Sequence, residues 1–217
     1  MSETESFIEE VSEEVRRDKL YAAMRRYGWI VAALVILLVG GASYNEYRKS
    51  VAASQAQDLG DAVLAAMNAE DPQTRITSLA EVQSDNEGMV VVQLLRAAEL
   101  SQADRTDEAV ALYDIVAQNA EVEPLYRDLA QLKKLALQAE TADLETRRAG
   151  YVALAAPGSA YRLLAEEQLA LLDIEEGQTD PAIERLQQIL ADGEVTGGLR
   201  RRASQLIVAL GGSLDPS

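Results

Sequence analysis

The sequence predicts an all-α protein: a single N-terminal transmembrane helix, then an α-solenoid of stacked helical hairpins. Three observations carry this reading. The chain of 217 residues is rich in Leu and Ala and holds only 5% aromatic residues, a make-up suited to helix packing. One uncharged apolar run stands alone near the N-terminus. Beyond it, apolar residues recur at helical spacing between polar turns, and clusters of Val, Ile, Tyr and Thr with strand alternation are scarce.

Residues 1–26 form a charged segment expected on the cytoplasmic side. From Ser6 to Met24, Phe7, Val11, Val15 and Tyr21 share a broad face with Ile8 and Leu20, and Ser6 with Glu9 has capping-box spacing. Two readings stand here: an amphipathic docking helix, or a charged and partly ordered tail.

The run 27–45 is long enough to cross about 30 Å of hydrocarbon. Trp29, Leu34, Ile36, Leu37 and Leu38 are its anchoring residues. Aromatic rings flank it, Tyr27 and Trp29 at one end and Tyr44 and Tyr47 at the other, as interfacial side chains do. Arg16, Arg17, Lys19, Arg25 and Arg26 precede the run, against Arg48 and Lys49 just after it, so the N-terminus is expected in the cytoplasm. The acidic stretch from Glu3 to Glu14 is unlike the basic start of a secretory signal, which argues for a retained anchor. Gly40-Gly41-Ala42-Ser43 offers small residues to a signal peptidase as the alternative, and Gly28 with Ala32 gives a weak helix-pairing spacing.

Residues 46–70 continue the helix as a stalk to about Met67, since no Pro intervenes. The domain 71–212 follows. Asp71-Pro72 reads as cap and first-turn proline of a short helix through Ile76, Leu79 and Val82. Leu94, Leu95, Ala97, Ala98 and Leu100 precede the polar turn 104–107, and Ala109, Leu112, Tyr113 and Val116 form the answering face. The pattern returns with Leu169, Ala170, Leu172 and Ile174, then a turn at 176–181, then Ala182, Leu186 and Ile189. In that second turn Gly177 suits a left-handed helix exit, Thr179 or Asp180 a cap, and Pro181 the next first turn.

Ala109 and Ala182 lie 73 residues apart at matching positions, where a small side chain lets antiparallel helices approach. That spacing is near two periods of about 34, the tetratricopeptide length, which places a degenerate unit between them at 124–138 and 146–155. Ala109, Tyr113, Gly177, Ala182 and Leu186 are thus the repeat-packing residues. A last helix over 195–210 caps the stack, and 213–217 is expected to be a disordered tail.

The formal charge of −16 lies mostly beyond the apolar run, and the one dense basic string there is Arg200-Arg201-Arg202, so nucleic acid is not an expected partner. No Cys and no His are present, which removes thiol nucleophiles, Ser-His dyads and zinc-type clusters. No catalytic residue, metal site or cofactor is expected. The pairs Glu166-Glu167, Glu175-Glu176 and Asp107-Glu108 read as solvated helix faces, because adjacent residues on a helix diverge by about 100°. Tyr113, Tyr126, Tyr151 and Tyr161 are candidate peptide anchors, weighed against internal packing, which is the reading preferred for each.

The chain resembles the YfgM-type family, tetratricopeptide-like ancillary subunits of the SecYEG translocon, and in particular its alphaproteobacterial members. Phe7-Ile8-Glu9-Glu10-Val11 before Arg16-Arg17-Asp18-Lys19-Leu20 carries the likeness, with Arg26-Tyr27-Gly28-Trp29 at the start of the span. The strings 154–162 and 190–192 leading to 198–203 extend it. The resemblance implies a bacterial inner-membrane protein with a periplasmic repeat domain. Its implied partners are Sec translocon subunits, a periplasmic chaperone of the prolyl-isomerase type and secreted clients. Two other readings remain: an envelope adaptor that organises cell-wall or outer-membrane machinery, and a carboxylate-dependent cell-wall enzyme, which would need carboxyls converging in a deep pocket.

Overall fold

A computed structural model describes residues 3–83 and 88–214; the side chains of 3–24, 27, 28, 31 and 32 lie outside the description. All regular structure among the described residues is α-helical, in the order α1 (Glu3–Met67), α2 (Pro72–Glu81), α3 (Met89–Gln102), α4 (Thr106–Gln118), α5 (Pro124–Leu137), α6 (Leu144–Leu154), α7 (Arg162–Glu175), α8 (Thr179–Ala191) and α9 (Gly197–Ala209). The chain divides into two compact units, Met1–Gln57 and Asp58–Ser217, with the division inside the segment read as a stalk.

The first unit is helix α1 up to Gln57. Trp29, Leu34, Ile36, Leu37 and Leu38 of this helix are all exposed, Leu37 by 75%. Arg25 and Arg26 are exposed as well, while Arg16, Arg17 and Lys19 fall among the side chains not described. Among the described residues no helix is long and apolar enough to cross a membrane. Tyr27, Gly28, Val31 and Ala32 of the apolar run 27–45 are outside that statement.

In the second unit each helix packs on its chain neighbours, from α2 on α3 through to α8 on α9, and α3 also touches α5. Helix starts follow local chemistry. Asp71 accepts the Thr74 N–H at 2.8 Å ahead of Pro72, Asp143 does the same for Thr146 at 2.8 Å, and Thr196 Oγ1 accepts from Leu199 at 3.3 Å. Two expected starts move. The cap of α8 is Gln178, with Thr179 and Asp180 already helical and no side-chain bond at the cap. Thr196 caps α9, so Gly197 and Gly198 lie inside its first turn and Val195 outside it.

The interior is a series of apolar clusters along the stack. Ala66, Leu79 and Val92 join the last turns of α1 to α2 and α3. Leu94, Leu100, Ala109, Tyr113 and Ala130 bind α3, α4 and α5, Leu135, Tyr151 and Leu169 bind α5, α6 and α7, and Leu186, Leu199 and Ile207 bind α8 to α9. Each fully buried Leu or Ile contributes about 1.5–3 kcal/mol. Gly150 on α6 makes room for this: a Cβ there would stand 2.7 Å from Leu135 Cδ1.

Candidate functional site

The hairpins α3–α4 and α7–α8 repeat one geometry at the 73-residue spacing. Each first helix ends with a six-residue closure, Arg105 N–H to the Leu100 carbonyl at 2.9 Å and Gln178 N–H to the Asp173 carbonyl at 2.8 Å. The residue before each donor is left-handed, Asp104 with φ 58° and Gly177 with φ 76°. Ala97 and Ala170, Ala109 and Ala182, Tyr113 and Leu186, and Val116 and Ile189 stand at equivalent positions, and all are buried.

At three further equivalent positions the chemistry changes. Leu94, Leu100 and Leu112 of the first hairpin correspond to Glu167, Asp173 and Arg185 of the second. Asp173, 2% exposed, accepts from Arg148 of α6 at 2.8 Å and from Arg185 of α8 at 3.1 Å. Glu167, also buried, takes a two-pronged bond from Arg202 of α9 at 2.7 and 2.6 Å.

These contacts overturn the expectation of a solvated face for Glu167, which is buried, and in part for Glu166, whereas Glu175 and Glu176 are exposed as that expectation has it. The divergence of adjacent helical residues aims each at a different arginine: Glu166 at Arg185 (2.5 Å), Glu167 at Arg202, Glu175 at Arg147 (2.6 Å) and Glu176 at Arg148 (2.9 Å). Glu108 pairs with Arg105 at 2.6 Å on the surface, and Asp107 is exposed. Of the basic string, Arg202 is committed to Glu167, Arg200 donates to the Leu190 carbonyl at 3.1 Å, and Arg201 is exposed. The buried acids were missed because a charged residue at helical spacing reads as an outward one; the signal that could have found them is the 73-residue register, which sets them against leucines.

Local partners shift the titration of several groups. The Arg147 guanidinium holds the Glu175 carboxyl below its ordinary value, the Lys134 ammonium, 2.7 Å away, does so for Asp114, and the Glu194 backbone N–H followed by Arg162 does so for Asp192. Burial raises the phenols of Tyr113 and Tyr151, both 3% exposed, and that of Tyr161. Tyr126 is half-buried and lines a cleft.

Concavities among the described residues of the second unit include the following. One of about 470 Å³ lies between the start of α3 and the α4–α5 turn, lined by Val91, Val122, Glu121, Glu123 and Tyr126 among others. A second, of about 320 Å³, includes Arg127, Asp128 and Gln131. A third, of about 190 Å³, includes Arg162, Leu163 and Glu194. Among the described residues, no group of three or more His, Cys, Asp or Glu is placed to hold a metal ion.

No family model matches the chain, and no curated protein or solved structure matches it.

Proposed function

We propose that this chain is a membrane-anchored binding scaffold, a tetratricopeptide-like stack of hairpins tethered by the run 27–45, that engages other proteins without covalent chemistry. The observation that carries this reading is the repeated hairpin: two units with one turn geometry, joined by a degenerate middle pair α5–α6, form the kind of array whose successive faces make an extended binding surface. The exposed apolar side chains of Trp29, Ile30 and 34–39 support an anchor, since bare apolar surface of that kind is costly in water and favoured in lipid.

In the more specific form, which rests on the resemblance to the YfgM-type family, the domain lies in the periplasm of a bacterium. There it works beside the Sec translocon with a prolyl-isomerase-type chaperone, assisting secreted proteins. Quantitative cross-linked pull-down of the full chain from membranes tests this: translocon subunits and a periplasmic foldase are expected, and their absence removes the assignment. Protease added to spheroplasts is expected to digest the C-terminal mass; protection of that mass would overturn the orientation.

A further inference from the structure

The largest of these concavities is built differently from several helix junctions of the second unit. At Asp173, Glu167 and Asp192, carboxylates at helix junctions are matched by arginines. Among the described residues, the lining of the cleft between α3 and the α4–α5 turn holds no basic side chain. Its apolar lining residues include Val90, Val91, Val122 and Tyr126, and Val91 keeps 39% of its surface exposed.

Glu121 and Glu123 stand on the rim, both exposed and neither in a described ion pair. The start of α3 contributes a positive helix end of about half a charge, which two full carboxylates outweigh. The field at the mouth is therefore negative, and the apolar lining favours an apolar side chain.

We infer that this cleft seats an apolar side chain of a bound polypeptide segment whose neighbouring residue is Lys or Arg, with Val91, Val122 and Tyr126 receiving the first and Glu121 and Glu123 the second. The inference rests on the binding-scaffold reading and names the segment chemistry it takes. A volume of about 470 Å³ accommodates one large side chain with adjoining backbone, not a folded domain. An exposed rim pair acts mainly on specificity and salt dependence, and the apolar lining supplies the burial.

The test uses the full chain in detergent micelles and three dye-labelled Gly-Ser peptides carrying Leu-Arg, Leu-Glu or Ser-Arg at their centre, read by fluorescence anisotropy. The Leu-Arg peptide is expected to bind at least tenfold more tightly than either of the others. The double variant E121K/E123K is expected to reverse the preference between Leu-Arg and Leu-Glu. Both substituted residues are exposed and outside the core, and circular dichroism checks that the helices persist. Equal binding of Leu-Arg and Leu-Glu, or no saturable binding of Leu-Arg up to about 1 mM, would overturn the inference.

A photo-cross-linking amino acid at position 91, and another at Val208 on α9, separates this result from the broader one. Cross-links to proteins in cells at 208 but not at 91 would remove the cleft and leave the scaffold reading standing. Loss of cross-links at both would count against both readings.

Discussion

Leu100 and Asp173 hold the same place in two hairpins: each backbone carbonyl accepts the N–H that closes its helix, and each residue is 2% exposed, yet one side chain is a hydrocarbon and the other a carboxylate held by two arginines. One backbone design thus tolerates apolar packing and ionic bracing at the same site. The second solution links α6, α7 and α8 through a chain of charges running from Glu176 through Arg148, Asp173 and Arg185 to Glu166.

Replacing Asp173 separates its two roles. Asp173→Ala removes the acceptor and opens a gap, and is expected to cost about 2–4 kcal/mol in urea unfolding. Asp173→Leu restores the volume that Leu100 supplies in the other hairpin, while Arg148 keeps Glu176 and Arg185 keeps Glu166. It is expected to remain within about 1 kcal/mol of the native chain. A Leu variant as unstable as the Ala variant would show that the charge is required.

The turns give a second comparison. Gly177 has nothing within 4 Å of where a Cβ would stand, so the penalty of Gly177→Ala is conformational, about 1 kcal/mol. Asp104 occupies the equivalent left-handed position with φ 58°, so Asp104→Gly is expected to stabilise by up to about 0.5–1 kcal/mol. Thermal melts of the two variants should move in opposite directions.

Ala109 and Ala182 are both 0% exposed where antiparallel helices meet. Ala109→Leu and Ala182→Leu each insert bulk that the crossing cannot absorb, at a cost of about 1–3 kcal/mol or more, whereas Val208→Leu on the exposed side of α9 should stay within about 0.5 kcal/mol. Chemical denaturation of the three variants checks the ranking.

Stability should have a broad flat region in pH. The chain has no His, so no side-chain group with an ordinary value near neutrality is present. Glu175, Asp114 and Asp192 have folded values below their ordinary 4.5, 3.8 and 3.8, so their contribution is present above those values and is lost as pH falls through the lowered ones. Tyr113 and Tyr151 have folded values raised above 10.0, so theirs is present below 10.0 and is lost as pH rises beyond it. Denaturant midpoints measured from pH 2 to 11 should trace a plateau with losses at both ends, and a slope between about pH 5 and 9 would contradict it.

Helix positions were legible because caps, prolines and apolar periodicity are local signals: Asp71-Pro72, Asp143 before Thr146, and the faces around Ala109 and Ala182 all coincide with elements. The α8 cap misled because Thr179 and Asp180 are strong capping residues in isolation, but closure onto the Asp173 carbonyl brings Gln178 into the cap position and starts the helix at Thr179. The buried acids were illegible for a different reason. Whether Glu167 faces water or Arg202 depends on a residue 35 positions later, which no local pattern encodes. The acidic cleft likewise joins residues of α3 to those of the α4–α5 turn, so its apolar lining and rim come together only in three dimensions.

Packing of helices α2 to α9 mainly on their chain neighbours also governs how the second unit folds. The closing steps span short loops, so little loop entropy must be surrendered before contacts form, and such low contact order favours rapid folding. A hairpin such as α3–α4 can close while the residues of α9 are still being synthesised, and a nascent chain of this kind spends little time with its apolar faces open to aggregation.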